Sequence, residues 1–428
     1  MRRRLYLIAI SIIVGQTAVT SSGQTPPNPT STPAEYKINA AREAIAKNSK
    51  YVAGYNDLAT AFIGLARETA NSGFYDDADN AVKTALRLSP GNFETLKVKV
   101  QVLLGKHDFD AARVEAEKLN KLVPDDVPVY GLIADADIAL GDYADAEKQV
   151  QWMLTLRQDT APAMDRVAQL RELFGDLDGA MDALRIAMSK TPPSESEQVA
   201  SMLTRYAHLC MLTGQLKAAE SACDEALQTF PGYHAALRAL ADIRSVQQRY
   251  GEAVEILKQC ELASPTLATR FELAVALQRD AKQPQAKSEF EDFARKAREQ
   301  IALNDNDNVD LVRYDLEFGR NPGEALAVSR QEMDHRHDVW TLDAYARALA
   351  ANGNAPEARK QLQRALEVGV KEPGVNYDAG IIENLLDDRN AARGYFEKVI
   401  AAGETSVYYA QAEKALAQLA LSASEIKR

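Results

Sequence analysis

Ten alanines recur on a fixed beat along this 428-residue chain. They stand at Ala78, Ala112, Ala146, Ala180, Ala219, Ala253, Ala286, Ala325, Ala358 and Ala392, with successive spacings of 34, 34, 34, 39, 34, 33, 39, 33 and 34 residues. A period of this length, repeated this often, means stacked supersecondary units, each of which buries its apolar face only against its neighbours. Length alone would allot about two to four globular domains, but that prior assumes central cores and does not apply to an elongated array. The 46% hydrophobic and 26% charged composition excludes a disordered tail, a collagen-like rod and a disulfide scaffold.

Other positions keep the same register. Seven residues after each alanine come Ala85, Leu119, Met153, Ala187, Ala226, Cys260, Phe293, Glu332, Ala365 and Val399, apolar in nine of ten units. Positions seven apart share a helix face. Twelve residues before the alanine stand Val100, Ala134, Ala168, Ala207, Ala241, Ala274, Arg313, Ala346 and Gly380. Most of these are small, which lets two helices approach closely. Twelve residues after it, Pro90, Pro124, Pro192, Pro231 and Pro265 end the second helix. The register predicts helix-turn-helix units with second helices centred near 82, 116, 150, 184, 223, 257, 290, 329, 362 and 396.

Phrases such as Gly141-Asp142-Tyr143-Ala144-Asp145-Ala146 and Gly175-Asp176-Leu177-Asp178-Gly179-Ala180 complete the pattern. The chain resembles the tetratricopeptide repeat over about residues 51–402. The resemblance implies an all-α, right-handed α-solenoid of about ten units, with the first helix of each pair lining a concave face that takes protein or peptide partners. Carried onto this sequence, the family's inward positions fall on Arg166, Gln169, Arg205, His208 and Arg238. Relatives that clamp a terminal carboxylate use Lys, Arg and Asn at similar places, and guanidinium groups grip carboxylates bidentately. Here Gln169 and His208 stand where asparagine would be expected, and Asp165 and Asp242 dilute the charge. The competing reading is a solvated groove wall with local ion pairs.

Departures from the period are equally legible. About seven extra residues before Gly73 predict a first helix lengthened by two turns. Thr191 to Gln198 lengthens a loop, where the Ser194 and Glu197 spacing predicts a capping box. Leu303 to Asp310 lengthens another, and the eighth unit, with Arg313 and Glu332 out of pattern, is the expected flexible joint. Residues 24–50 read as a lead-in followed by an opening helix from 34 to 49. Within residues 403–428 a capping helix is expected from Ser406 to Ala423, covering the last pair.

Arg2, Arg3 and Arg4 precede the apolar run Leu5 to Val14 and the small, polar stretch to Gly23. That is the layout of a secretory signal peptide, placing the protein in the periplasm or cell envelope. The run is too short for a bilayer span, so stable membrane insertion after cleavage is not expected. The net charge of −11 becomes −14 once the leader's three arginines are gone. Dispersed cations in so acidic a chain argue against nucleic acid as a partner.

No catalytic residues are expected, because the repeats leave too little chain for a separate enzyme domain and no nucleotide, zinc-protease or hydrolase signature occurs. Cys210, Cys223 and Cys260 fall on packing positions and read as core side chains, a Cys210–Cys223 bridge being the rival. His335 and His337 read as loop residues and Asn304 to Asn308 as a solvated turn ending in a helix cap, since neither completes a metal shell. Trp340 and Tyr345 read as packing residues. No cofactor is implied. The function expected is a non-catalytic scaffold or adaptor. The alternatives are a structural or self-associating envelope element, with homo-oligomerisation open, and a small-molecule site between helices.

Overall fold

The computed structural model describes residues 32–301 and 308–425, with side chains through Leu421. The leader and most of the Asn304 to Asn308 turn lie outside the described residues. From Thr32 onward the chain is one compact unit. An opening helix α1 (Pro33–Lys47) precedes ten helix pairs. These are α2 (Val52–Thr69) with α3 (Phe74–Leu88), α4 (Phe93–Gly105) with α5 (Phe109–Leu122), and α6 (Val127–Leu140) with α7 (Tyr143–Leu156). Next come α8 (Ala161–Leu173) with α9 (Leu177–Lys190), α10 (Ser196–Leu212) with α11 (Leu216–Thr229), and α12 (His234–Val246) with α13 (Tyr250–Ala263). The remaining pairs are α14 (Leu267–Arg279) with α15 (Gln283–Gln300), α16 (Val309–Glu317) with α17 (Pro322–Glu332), α18 (Val339–Ala351) with α19 (Ala355–Leu366), and α20 (Pro373–Leu385) with α21 (Arg389–Ala401). A closing helix α22 (Tyr409–Glu425) packs on α21.

Local chemistry explains why each pair turns where it does. Five residues before the recurrent alanine, nine units place a residue at positive φ: His107, Gly141, Gly175, Gly214, Gln248, Ala281, Arg320, Gly353 and Asp387. A left-handed residue ends the first helix and reverses the chain. One residue later, the side chains of Asp108, Asp176, Asn354 and Asp388 accept a backbone N–H from the second helix and cap it. Asp142 occupies the same place without capping, because its carboxylate receives Arg113 Nη1 at 2.5 Å.

Packing follows the beat. All ten recurrent alanines are buried, as are the ten residues seven positions later and the small side chains twelve positions before. Arg313, in the place of a small residue, is accommodated by laying its guanidinium 5.3 Å from the centre of the Phe271 ring. Glu332 is buried in the place of an apolar residue and accepts a hydrogen bond from Asn308 Nδ2 at 2.6 Å. The eighth unit, expected as a joint, has a nine-residue first helix packed by Phe271, Phe290, Phe293, Tyr314 and Phe318.

Three local expectations are corrected. The first helix of the first unit has 18 residues against 13 or 14 in most others, so a little more than one extra turn forms rather than two. Ser194 does not cap α10, which begins at Ser196 with Glu195 as an N-cap that makes no side-chain bond. The extra residues lengthen α10 itself to 17 and free Glu197 for Arg67 Nε, 3.1 Å away. Trp340 is 43% exposed rather than packed.

The cysteines are buried and unpaired. Burial pushes the Cys223 thiol up to about 12, with neighbouring carboxylates adding to the effect. Thiol titration of the denatured, unreduced protein is expected to count three free thiols; one would mean a bridge.

Candidate partner-binding surface

First helices of neighbouring units pack on one another, as in α2 on α4, α10 on α12 and α18 on α20, in addition to packing on their own second helices. The side on which neighbours crowd is the inside of the curve, so first helices line the concave face. Arg166 on α8 forks Asp135 of α6, with Nε–Oδ1 at 2.8 Å and Nη2–Oδ2 at 2.5 Å, and also donates to the Gly131 and Pro162 carbonyls. Arg205 on α10 donates from Nη1 to Asp165 of α8 at 2.7 Å and lies 3.5 Å from Glu172. Arg238 on α12 forks Glu272 of α14 at 2.8 and 2.5 Å.

The arginines therefore do not converge on one vacant spot. Each is matched to a carboxylate one unit away, Arg166 and Arg238 in the two-bond fork that gives the strongest charge-assisted hydrogen bonds and Arg205 through a single bond. His208 Nε2 sits between Glu172 and Glu372 at 3.6 and 3.7 Å. Gln169, three residues beyond Arg166 on α8, is half-buried. The ladder continues where sequence reasoning did not place it: Arg347 of α18 binds Glu317 of α16 at 2.6 Å and lies 3.4 Å from Asp378 of α20. Arg347 stands eleven residues before Ala358, the repeat position that Gln169 and His208 hold in their own units, which was the available signal.

Successive turns of the superhelix touch. The turn inside one unit meets the loop that leads into the sixth unit onward. Ser264 donates its hydroxyl to the Thr69 carbonyl, the His337 N–H donates to the Ala139 carbonyl at 3.1 Å, and the Val339 N–H donates to Tyr143 Oη at 3.0 Å. His337, considered above as a metal ligand, serves this contact through its backbone. Among the described residues no group of three or more His, Cys, Asp or Glu gathers to hold a metal. Between the turns lies a cavity of about 1,120 Å³ whose wall includes Phe74, His107, Arg238, Arg270, Phe293 and Trp340.

No family model and no curated protein matches the chain. Solved structures do resemble it. The Cut9-Hcn1 hetero-tetramer of the APC/C shares 12% identity with a TM-score of 0.46, over 92% of this chain and 60% of that one. The chain thus spans about 60% of the length of that match. The human IFIT1 dimer with m7Gppp-AAAA shares 12% identity with a TM-score of 0.49, over 86% of each chain. PilW, a widely conserved type IV pilus biogenesis factor, shares 14% identity with a TM-score of 0.41, over 47% of this chain and 91% of that one. What decides the architecture is internal: ten helix pairs on a 34-residue beat, with the small positions buried between them. The fold is an all-α solenoid of tetratricopeptide-type helix pairs.

Several carboxyls in the solenoid sit above their usual range. Desolvation raises Asp137 on α6 to about 7 against the pull of Arg113. Asp378 is raised to about 6 by burial, opposed by Arg347. A raised folded pKa means that the native state holds the proton more tightly than the unfolded chain. The stabilisation is therefore complete below about pH 4, is lost as pH rises from there to the folded values of about 6 and 7, and changes little beyond them. Asp137→Asn is expected to flatten this fall, removing a slope of up to about 1.4 kcal/mol per pH unit. Thermal unfolding at pH 4 to 8 checks it; parallel curves for variant and parent would refute the assignment.

Proposed function

We propose that this protein is exported and serves in the cell envelope as a non-catalytic scaffold that takes protein or peptide partners on its concave face. The carrying observation is the ladder of arginine and carboxylate side chains running along the first helices from α6 to α20. The leader pattern from Arg2 to Val14 supports export. Among the described residues no helix is long and apolar enough to cross a membrane.

The pairing modifies the carboxylate-clamp idea. A partner's carboxylate must displace Asp135, Asp165 or Glu272 from an arginine, so binding exchanges ion pairs instead of filling vacant forks. Such exchange selects partners by the pattern of their charges more than by net attraction. Replacing Arg166, Arg205 and Arg238 together with glutamine is expected to lower capture of the principal envelope partner about tenfold or more. The measurement is affinity capture from envelope extract with mass spectrometry, beside circular dichroism to show that the variant is folded. An unchanged captured set from a folded variant would remove the arginines from the binding surface. Light scattering separates the structural alternative, for which a defined oligomer with no captured protein is the expected outcome.

A further inference from the structure

We propose that the contact between successive superhelical turns is a cooperative latch, and that the array has a second, parted state in which every helix pair stays intact. Among the described residues no helix of one turn lies along a helix of the next; the contact is made by loops and side chains, including an apolar cluster in which Ile138, Tyr143 and Leu173 meet Val339, Leu342 and Val375. In addition to the three hydrogen bonds given above, Lys37 pairs with Glu195 at 3.0 Å and Arg67 with Glu197 at 3.1 Å. These bonds lie apart from the packing of each unit on its neighbours, so parting the turns leaves the small-residue interfaces closed.

Two observations show that the contact is built. The first 39-residue spacing, between Ala180 and Ala219, inserts chain before α10, and that insert supplies Glu195 and Glu197 to grip α1 and α2. The second concerns four glycines at one repeat position with nearly the same φ, Gly141, Gly175, Gly214 and Gly353. A Cβ on Gly141 would lie 2.6 Å from the His337 carbonyl oxygen and one on Gly175 2.5 Å from that of Gly369, both across the turn contact. At Gly214 and Gly353, which face no neighbouring turn, a Cβ would meet nothing within 4 Å. Positive φ is thus common to all four, and the missing side chain is needed for close approach only where turns meet.

The test uses Gly175→Ala, with Gly214→Ala as the control carrying the same backbone strain. The readout is hydrogen exchange at the His337 and Val339 amides, which belong to a different loop from the substituted contact. A latch that opens as one body is expected to speed exchange there about tenfold in Gly175→Ala and to leave it at the parent rate in Gly214→Ala. Circular dichroism should stay unchanged and the radius of gyration from small-angle scattering should rise. Parent-like exchange in both variants would overturn the proposal, since the contacts would then be independent. Should Gly175→Ala fail to fold, Ser264→Ala loses only a hydroxyl at a third contact; it must speed the same two amides, and if it does not the proposal falls.

Discussion

Replacing Phe271 with alanine is expected to lower the stability of the seventh and eighth units by about 3–5 kcal/mol. Its ring is fully buried, with centroids of Phe293 at 5.0 Å, Phe290 at 5.9 Å and Phe318 at 6.0 Å. The lost area and the cavity left behind act together, because aromatic neighbours from α15 and the end of α16 cannot collapse into one space. Arg313 also loses the ring face beneath its guanidinium. With only nine residues, α16 has few side chains of its own to bury and relies on this cluster. Denaturant unfolding with hydrogen exchange over α14 to α16 measures the effect. A loss below about 1 kcal/mol would mean that the aromatic cluster is not what holds the irregular unit in place.

Ala219→Leu should be the second largest disruption, about 2–3 kcal/mol by overpacking. Ala219 has no exposed surface and sits among Met181, Leu184, Cys210 and Ile243 in a core that draws on three consecutive units. A leucine there must push the paired helices apart, and the displacement passes to both neighbouring units because each packs only on the next. Ser221→Leu, two residues along α11 on its exposed face, is the control and should change stability by no more than about 0.5 kcal/mol. Equal effects at the two positions, by thermal or denaturant unfolding, would show that the alanine beat is not where the helices touch.

Helix pairing was legible because it is local and periodic: Ala146, Met153 and Ala134 announce one interface within twenty residues of chain. Contacts without a period were not. Glu197 was read as part of a cap beside Ser194, whereas its partner Arg67 lies 130 residues earlier. Gly175 looks like Gly214 in sequence, and only the Gly369 carbonyl, brought alongside by superhelix curvature, tells them apart. Register puts Arg166, Arg205 and Arg238 on first helices, but their carboxylates come from neighbouring units through side-chain reach that spacing does not encode. Arg313 and Glu332 were visible as breaks in pattern, and the Phe271 ring and Asn308 amide that accommodate them were not.

A crystal structure of the chain from Thr32 onward tests the central claim most directly. The expected result is ten alanine methyls, Ala78 through Ala392, excluded from solvent between paired helices, with Gly175 beside the Gly369 carbonyl. Paired strands within the repeat array, or those methyls facing water, would contradict the account.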